Sequence, residues 1–553
     1  MISVISFVGF TILVAIISYL ATRSTNENSS EGYFLGGRSL TAGVIAGSLL
    51  LTNLSTEQLI GLNGNAFSEG ILVMAWETLA AIAMVVTALF LLPRYLKSGL
   101  TTIPQFLADR FDTSTKTMTS LLFLTGYMVV LLPTILYTGS LAISGMFDIP
   151  ELLNVNKSTA LWICVWGIGI IGSIYAVFGG LKAVAVSDTI NAIGLLIGGI
   201  LIPILGLIAI GDGSVFDGLS ILTEQSSEKF NAIGSKTDSI PIATIFTGMM
   251  LVQLFYWGTN QQIIQRALAA KNLKEGQKGL LLGSFIKILG PSIVVIPGII
   301  AFYMHSNGML EVSAPDEAYG ELVRKVLPAE LIGFFAAVIF GAILSSFNSV
   351  LNSAVTLFGV DIYKQHISKN ASERSVVKNG KTFGIILALA AMFIAPFLEN
   401  LSSIFEYLQR INGIYSIPIL TIIVVGFTTK RVPAIAAKIG LLSGSILYII
   451  SEFYVRPSFI TNAVSKAKVL GITDPDRLKE IEVDAYPHFL HVMAILFALN
   501  VVIMLVIGRL KPRNENYVQT YTEQVEITPW PHAKKVGLLV ICIVIFTFYY
   551  FKQ

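Results

Sequence analysis

Charge is the scarcest ingredient of this chain. Of 553 residues only 13% are Asp, Glu, Lys or Arg, about half the usual share of a soluble domain, while 54% are hydrophobic before the 47 glycines are added. So little polar surface cannot cover a soluble fold of this size, and so much apolar side chain excludes a disordered chain. Cysteine is nearly absent: Cys164 and Cys542 both lie inside apolar runs, which excludes a disulfide scaffold and a zinc cluster. The five histidines form no ligand constellation; His488 and His491 share a helical face without a third donor. The 37 basic and 34 acidic residues are scattered rather than clustered, so no nucleic-acid-binding face is expected. No nucleophile and base pair points to an enzyme. The first apolar run lacks a basic n-region and a small-residue cleavage pattern, so it reads as a retained helix rather than a signal.

Long apolar runs are what the chain has instead. About fourteen are long enough to cross a bilayer, from residues 2–22 to residues 535–551. Placing the N-terminus outside puts about 24 of the 37 basic residues on the inner side. Arg23, Arg38, Arg94, Lys97, Arg110, Lys271, Lys430 and Arg431 are among them. Several of the outward ones fall in a long loop at 455–485 that the positive-inside rule discounts. Both termini are therefore expected outside, in a multi-pass protein of the inner (plasma) membrane.

Two of the runs carry the same flaw. Thr52-Asn53-Leu54-Ser55-Thr56 interrupts the span at 40–64, and a polar stretch from Gln253 to Gln262 interrupts the span that begins at Pro241. The second lies five spans after the first. An odd number of spans means the second copy enters the membrane inverted, which is the arrangement of inverted-repeat transporters with discontinuous helices.

Ionisable residues at membrane depth point to the same region. Glu77 and Lys287 each sit inside an apolar span, where an unpaired charge costs roughly 2.5 to 3.5 kcal/mol on insertion scales. Two readings fit: an ion pair that holds two helices together, or, with Gln58, Gln253 and Tyr256 near by, the rim of a cavity for a hydroxylated solute. The span at 329–362 carries Ser345, Ser346 and Ser349. Their hydroxyls suit a small hard cation such as sodium, although serines in membrane helices also bond back to their own helix or mark close packing.

At this point a family resemblance is legible. The pieces that carry it are Gly32-Tyr33-Phe34-Leu35-Gly36-Gly37-Arg38-Ser39-Leu40, Asn53-Leu54-Ser55-Thr56-Glu57-Gln58, Phe178-Gly179-Gly180-Leu181 with Asp188, Tyr256-Trp257-Gly258-Thr259-Asn260-Gln261, Gln265-Arg266, and Leu351-Asn352-Ser353 with Asp361-Ile362-Tyr363. The sequence resembles the solute:sodium symporter family, in particular its bacterial sodium/sugar (sodium/galactose-like) symporters, over nearly its whole length.

The resemblance implies an all-α integral membrane protein of about 14 transmembrane helices with a 5+5 inverted repeat, a leucine-transporter-type core whose first and sixth helices are discontinuous. An extra N-terminal helix would occupy residues 1–25, the two five-helix repeats 40–210 and 241–426, and three additional helices 433–553. The family's sodium site maps onto the backbone carbonyls of Leu51, Leu54 and Ala342 and the hydroxyls of Ser345 and Ser346. Its solute pocket maps onto Gln58, Glu77, Gln253, Lys287 and Gln409, with Tyr256 as inner gate and also covering the solute, and Leu62, Tyr127 and Phe405 as outer gate. Asp188, with Ser349, lies where some members hold a second sodium or its release path.

Those residue types suit a sugar on chemical grounds. Gln, Glu and Lys match a ring of hydroxyls that both donate and accept, and an aromatic covers its apolar face. The chain also departs from the sugar members: Ala80 stands where they have Ser, Gln253 where they have Asn, Leu131 at a polar position, and Asn348 in place of a serine of the second-sodium pattern. The pocket has lost hydrogen-bonding groups, which leaves the identity of the sugar open, and one sodium per solute is the expected stoichiometry. The expected activity is sodium-coupled import of a sugar or sugar-like solute by alternating access. A sugar acid, an inositol and a non-transporting solute sensor of the same fold are the alternatives. Sodium, the small-molecule solute and the lipid bilayer are the expected partners.

Overall fold

The computed structural model describes residues 2–22, 29–400 and 404–552. Arg23, counted above on the inner side, and the end of the expected 1–25 segment lie outside the described residues. Among those described there is no strand; a single bridge pairs Leu40 with Ala270. Among the described residues eleven helices are long and apolar enough to cross a membrane, and a bent pair makes a twelfth. Two further apolar helices, Ile5–Leu20 and Ala42–Asn53, are shorter. The segments reach the expected fourteen when those two are counted as spans.

In chain order the principal helices are α1 (Ile2–Thr22), α2 (Ala42–Asn53) and α3 (Ala75–Val86). Next come α4 (Thr113–Phe147), α5 (Lys157–Ala176) and α6 (Leu181–Ile210). The bent pair is α7 (Met250–Gly258) with α8 (Gln261–Leu268), followed by α9 (Leu273–Val294). Then follow α10 (Glu330–Ile367), α11 (Glu373–Glu399), α12 (Ile404–Thr428) and α13 (Ala434–Val469), and finally α14 (Phe489–Leu510) and α15 (Ala533–Tyr550). In lipid every backbone polar group has to be satisfied within the chain, which is why apolar runs of this length become helices.

The loop expected at 455–485 is instead helical, in Arg456–Val469 and Pro475–Ala485. Asp474 accepts from the Arg477 N–H at 3.2 Å and Pro475 opens the first turn, a strong helix start that hydropathy alone does not register.

Contacts between chain ends and loops sort the molecule into two faces. On one face the ring of Phe7 meets that of Phe147 at 5.6 Å, and the Ala232 N–H donates to the carbonyl of Phe551 at 2.9 Å. The start of α1, the end of α4 and the C-terminal end of α15 thus belong to elements that cap the same side. On the other face Arg38 donates to the carbonyl of Gly99 at 2.7 Å, Arg513 N–H to Arg431 at 2.8 Å, Thr522 N–H to Lys97 at 3.1 Å and Leu273 N–H to Glu526 at 2.9 Å. The segment between α14 and α15 therefore lies across the loops that follow α3, α8 and α12. Arg38, Lys97, Arg431 and Arg513 lie on this face.

Candidate functional site

Both interrupted spans are broken where the polar runs occur. The helix α2 stops at Asn53, and Leu54 leaves helical geometry at φ −76°, ψ 59° before helix resumes at Glu57. Ending a helix releases its last carbonyls from internal bonding; that of Thr52 accepts the Ser346 hydroxyl at 2.9 Å. The second break follows Gly258, where the chain bends by 47°. There Asn260 caps α8 by accepting from the Gln262 N–H at 3.2 Å, and the same carboxamide oxygen accepts the hydroxyl of Tyr127 at 2.8 Å.

Between the two breaks lies a cavity lined by Gln58, Glu77, Gln253, Tyr256, Lys287 and Gln409, the six residues expected to hold solute. They come from five separate helical segments, and three of them, Glu77, Lys287 and Tyr256, are joined through Asn53. Lys287 donates both to Glu77 and to the side-chain oxygen of Asn53. Asn53 in turn donates to the hydroxyl of Tyr256 at 3.3 Å, and Gln253 to the carbonyl of Trp76 at 2.8 Å. The side-chain oxygen of Gln58 is buried with no hydrogen-bond partner, an arrangement that a donor entering the cavity would satisfy. The cavity is about 50 Å³, room for a few waters, so a solute enters only when its covers move apart.

Of the three residues expected to form the outer gate, one lines the cavity. Phe405 lines the cavity, and its ring meets that of Trp76 edge-on at 5.4 Å. Tyr127, expected beside it, is bound instead to Asn260 and the Gln262 N–H at the second break. Tyr127 is the fifteenth of the 35 residues of α4, which brings it to the depth of the α7–α8 break. Leu62 is fully buried and does not line the cavity, while its neighbour Gly61 faces Phe405 closely. Trp76, Asn53, Glu57 and Asn412 also line it and had been given no role. Asn53 and Glu57 flank the polar break and Trp76 adjoins Glu77, which is the signal that could have found them.

Below the first break the hydroxyls expected to hold sodium converge. The Thr52 hydroxyl lies 3.3 Å from both the Ser345 and the Ser349 hydroxyls, and Ser346 reaches the Thr52 carbonyl. Leu51, Leu54 and Ala342 are fully buried around them. Asp188 and Ser349 are brought together as well, but around a cation the protein already supplies. Arg266 donates to the hydroxyls of Ser48 and Ser349 and lies 3.6 Å from the Asp188 carboxylate, which accepts the Ser48 hydroxyl at 2.6 Å. A second sodium at Asp188 and Ser349 would have to displace that guanidinium.

Outside the membrane segments, Asp316 packs against the outer half of the first broken helix. A Cβ on Gly64 would lie 2.9 Å from its carboxylate oxygen. Burial pushes its carboxyl up to about 6, against the pull of a hydrogen bond from the Ile404 backbone at the start of α12.

The sequence model of the Sodium:solute symporter family matches residues 33–444. A curated relative named "Uncharacterized symporter YidK", from Escherichia coli (strain K12), is 44% identical over 97% of this chain and 89% of its own. The sodium/glucose cotransporter of Vibrio parahaemolyticus is 32% identical over 80% of this chain and 84% of its own. The human sodium/myo-inositol cotransporter 2 is 28% identical over 81% and 70% respectively. Among solved structures, that of a Na+-coupled sialic acid symporter, captured substrate-bound and outward-open, superposes with a TM-score of 0.75 over 93% of this chain and 99% of that one, at 19% identity. At that identity the likeness establishes the fold.

Proposed function

The chain belongs to the sodium:solute symporter family, and from that premise we propose that it imports a neutral polyhydroxylated solute, a sugar or an inositol, together with sodium. It is a multi-pass membrane protein with sodium as coupling ion, and its family and structural neighbours are transporters rather than enzymes. The observation that carries the solute class is the pairing of Lys287. Its ammonium is already bound to Glu77, and a second carboxylate, Glu57, lines the same cavity. A solute carboxylate entering there meets two acids and one committed cation, so a sugar acid is disfavoured. A neutral ring of hydroxyls finds acceptors on Glu57 and Glu77, donors and acceptors on Gln58, Gln253 and Gln409, and an aromatic face on Tyr256. The names of the glucose and myo-inositol cotransporters among the relatives support the same class.

In this reading sodium binds the carbonyls of Leu51, Leu54 and Ala342 and the hydroxyls of Ser345 and Ser346. Trp76 and Phe405 cover the solute from outside, and Tyr256, held by Asn53, covers it from inside. The repeats are 40–210 and 241–426, and alternating access moves one against the other around the two breaks. The face carrying Arg38, Lys97, Arg431 and Arg513 is cytoplasmic, both termini are outside, and the membrane is the inner (plasma) membrane.

Counterflow into sodium-loaded proteoliposomes, run with labelled hexoses, inositols and sugar acids, tests this. Exchange of at least one neutral solute and none of the acids is expected; exchange confined to a sugar acid overturns the solute class. A flat panel would favour a sensor.

A further inference from the structure

A second cavity, of about 150 Å³, lies away from the solute path, between α1 and the core. Val14 and Ala15 wall it on one side, and Ile171, Asn191, Leu344 and Ser345 are among the residues opposite. Much of the wall is hydrocarbon, and its polar residues Thr11, Ser187 and Tyr175 are already engaged, with the Phe7 carbonyl at 2.8 Å, the Val184 carbonyl at 2.9 Å and the Ser18 hydroxyl at 3.4 Å; that disfavours filling by water, which needs two to four polar partners. One polar group in the wall has no such partner. Asn191 is 5% exposed and its amide has no hydrogen-bond partner among the described residues. Its placement depends on Gly341: a Cβ there would come within 2.6 Å of both the amide nitrogen and the amide oxygen. Glycine therefore lets the amide lie flat on α10 at the edge of the cavity. An unpaired buried amide is unfavourable until a partner reaches it.

The cavity is reachable from lipid. Ile171, on its rim, is 48% exposed and Ala15 is exposed, both on helices that face the bilayer. It also touches the ion site, because Ser345 lines it while sharing a 3.3 Å contact with the Thr52 hydroxyl.

We propose that this cavity is a binding site for a small hydrophobic alcohol that enters from the bilayer, its hydroxyl pairing with Asn191 and its hydrocarbon body filling the space between Val14, Ile171 and Leu344. A dry cavity of this size is known to hold one aromatic ring, and the amide adds a preference for a ring that carries a hydroxyl. Because Ser345 forms part of the wall, occupancy and sodium binding are linked, and linkage makes the effect reciprocal.

The test uses the full chain in nanodiscs with 4-fluorobenzyl alcohol and 4-fluorotoluene as probes, followed by fluorine NMR. A saturable bound resonance is expected for both. The alcohol should bind roughly threefold to tenfold more tightly, the worth of one net hydrogen bond, and Asn191→Leu should remove that preference. Ala337→Phe, from the α10 side of the cavity, or Ala15→Phe, from its lipid-facing rim, should abolish the bound signal; Ala15 is exposed, so its substitution spares the fold. Saturating alcohol should also shift the half-saturating sodium concentration at least twofold, and sodium should shift alcohol binding by the same factor. Linear partition without saturation overturns the proposal. So does a bound resonance that survives both Phe variants, and an unchanged sodium affinity at saturation overturns the link to Ser345.

Discussion

Glu77 and Lys287, 210 residues apart in the chain, form an ion pair in the wall of the cavity between the two helix breaks, each about 1% exposed. One stands on α3 and the other on α9, so the contact joins two helices and at the same time fixes the charge that a solute meets.

Removing one partner of such a pair leaves the other buried and uncompensated, at a cost of about 3 to 5 kcal/mol. Glu77→Ala is expected to lower the unfolding temperature markedly, and Glu77→Ala with Lys287→Met to recover most of that loss. If the acid also binds solute, the double variant will stay inactive in uptake. Recovery of transport in the stable double variant would reduce the pair to a structural strut.

Sodium coupling is expected to depend on two hydroxyls. Ser345→Ala with Ser346→Ala removes both, and with them the bond to the Thr52 carbonyl, worth about 1 kcal/mol of stability. The melting temperature should change little, while sodium-stimulated uptake falls to the sodium-free level. Wild-type stimulation in this variant would move the ion elsewhere.

The Arg266–Asp188 pair bears on stoichiometry. With a guanidinium already against Asp188, one sodium per solute is expected. One charge moving through about 100 mV supplies roughly 2.3 kcal/mol, and a tenfold sodium gradient about 1.4 kcal/mol more. Together these limit accumulation of a neutral solute to roughly 500-fold. A reversal potential that reports two ions would contradict the reading of Arg266 as occupant.

Trp76 should matter to solute and not to sodium. Trp76→Ala removes the edge-on contact with Phe405, worth about 0.5 to 1.5 kcal/mol, and uncovers the cavity from outside. Apparent solute affinity should weaken severalfold with half-saturating sodium nearly unchanged; Tyr127→Phe, by contrast, should act through the Asn260 cap and disturb both.

Asp316 makes outer-loop docking depend on pH. Burial raises its carboxyl from an ordinary 3.8 to about 6, so in that interval the folded state binds the extra proton and unfolding becomes easier as pH rises. Its contribution is fully present below about pH 4 and is lost as pH passes through about 6. Melting curves between those limits should show the slope in wild type and a smaller slope in Asp316→Asn. A further variant, Gly64→Ala, should undock the loop at every pH, because the added Cβ would sit 2.8 Å from the Pro315 carbonyl.

Much of the architecture was readable without coordinates because its causes are local. Lipid forces each long apolar run into a helix, and a polar run such as Thr52 to Thr56 cannot stay inside one unless something satisfies it. Six residues that line one cavity were named in advance: Glu77 and Lys287 because a charge at membrane depth is costly, Gln58, Gln253 and Tyr256 as polar groups near them, and Gln409 through the family resemblance alone. The helices at 456–485 escaped notice since they lie in a charged segment, where hydropathy carries no signal and a single Asp474 cap does.

What local chemistry could not decide was who stands opposite whom. Tyr127 and Trp76 are both aromatic and both near the middle of the chain's apolar runs, and only the packing of α4 against the α7–α8 break sends one to Asn260 and leaves the other against Phe405. Likewise the resemblance marks Asp188 as a position where some members hold a second sodium, and only folding brings Arg266 from 78 positions further along to meet it. A residue's cost in lipid belongs to that residue and is written in the sequence; the partner that offsets the cost is chosen by tertiary contacts between segments far apart in the chain, and these exist only once the helices have packed.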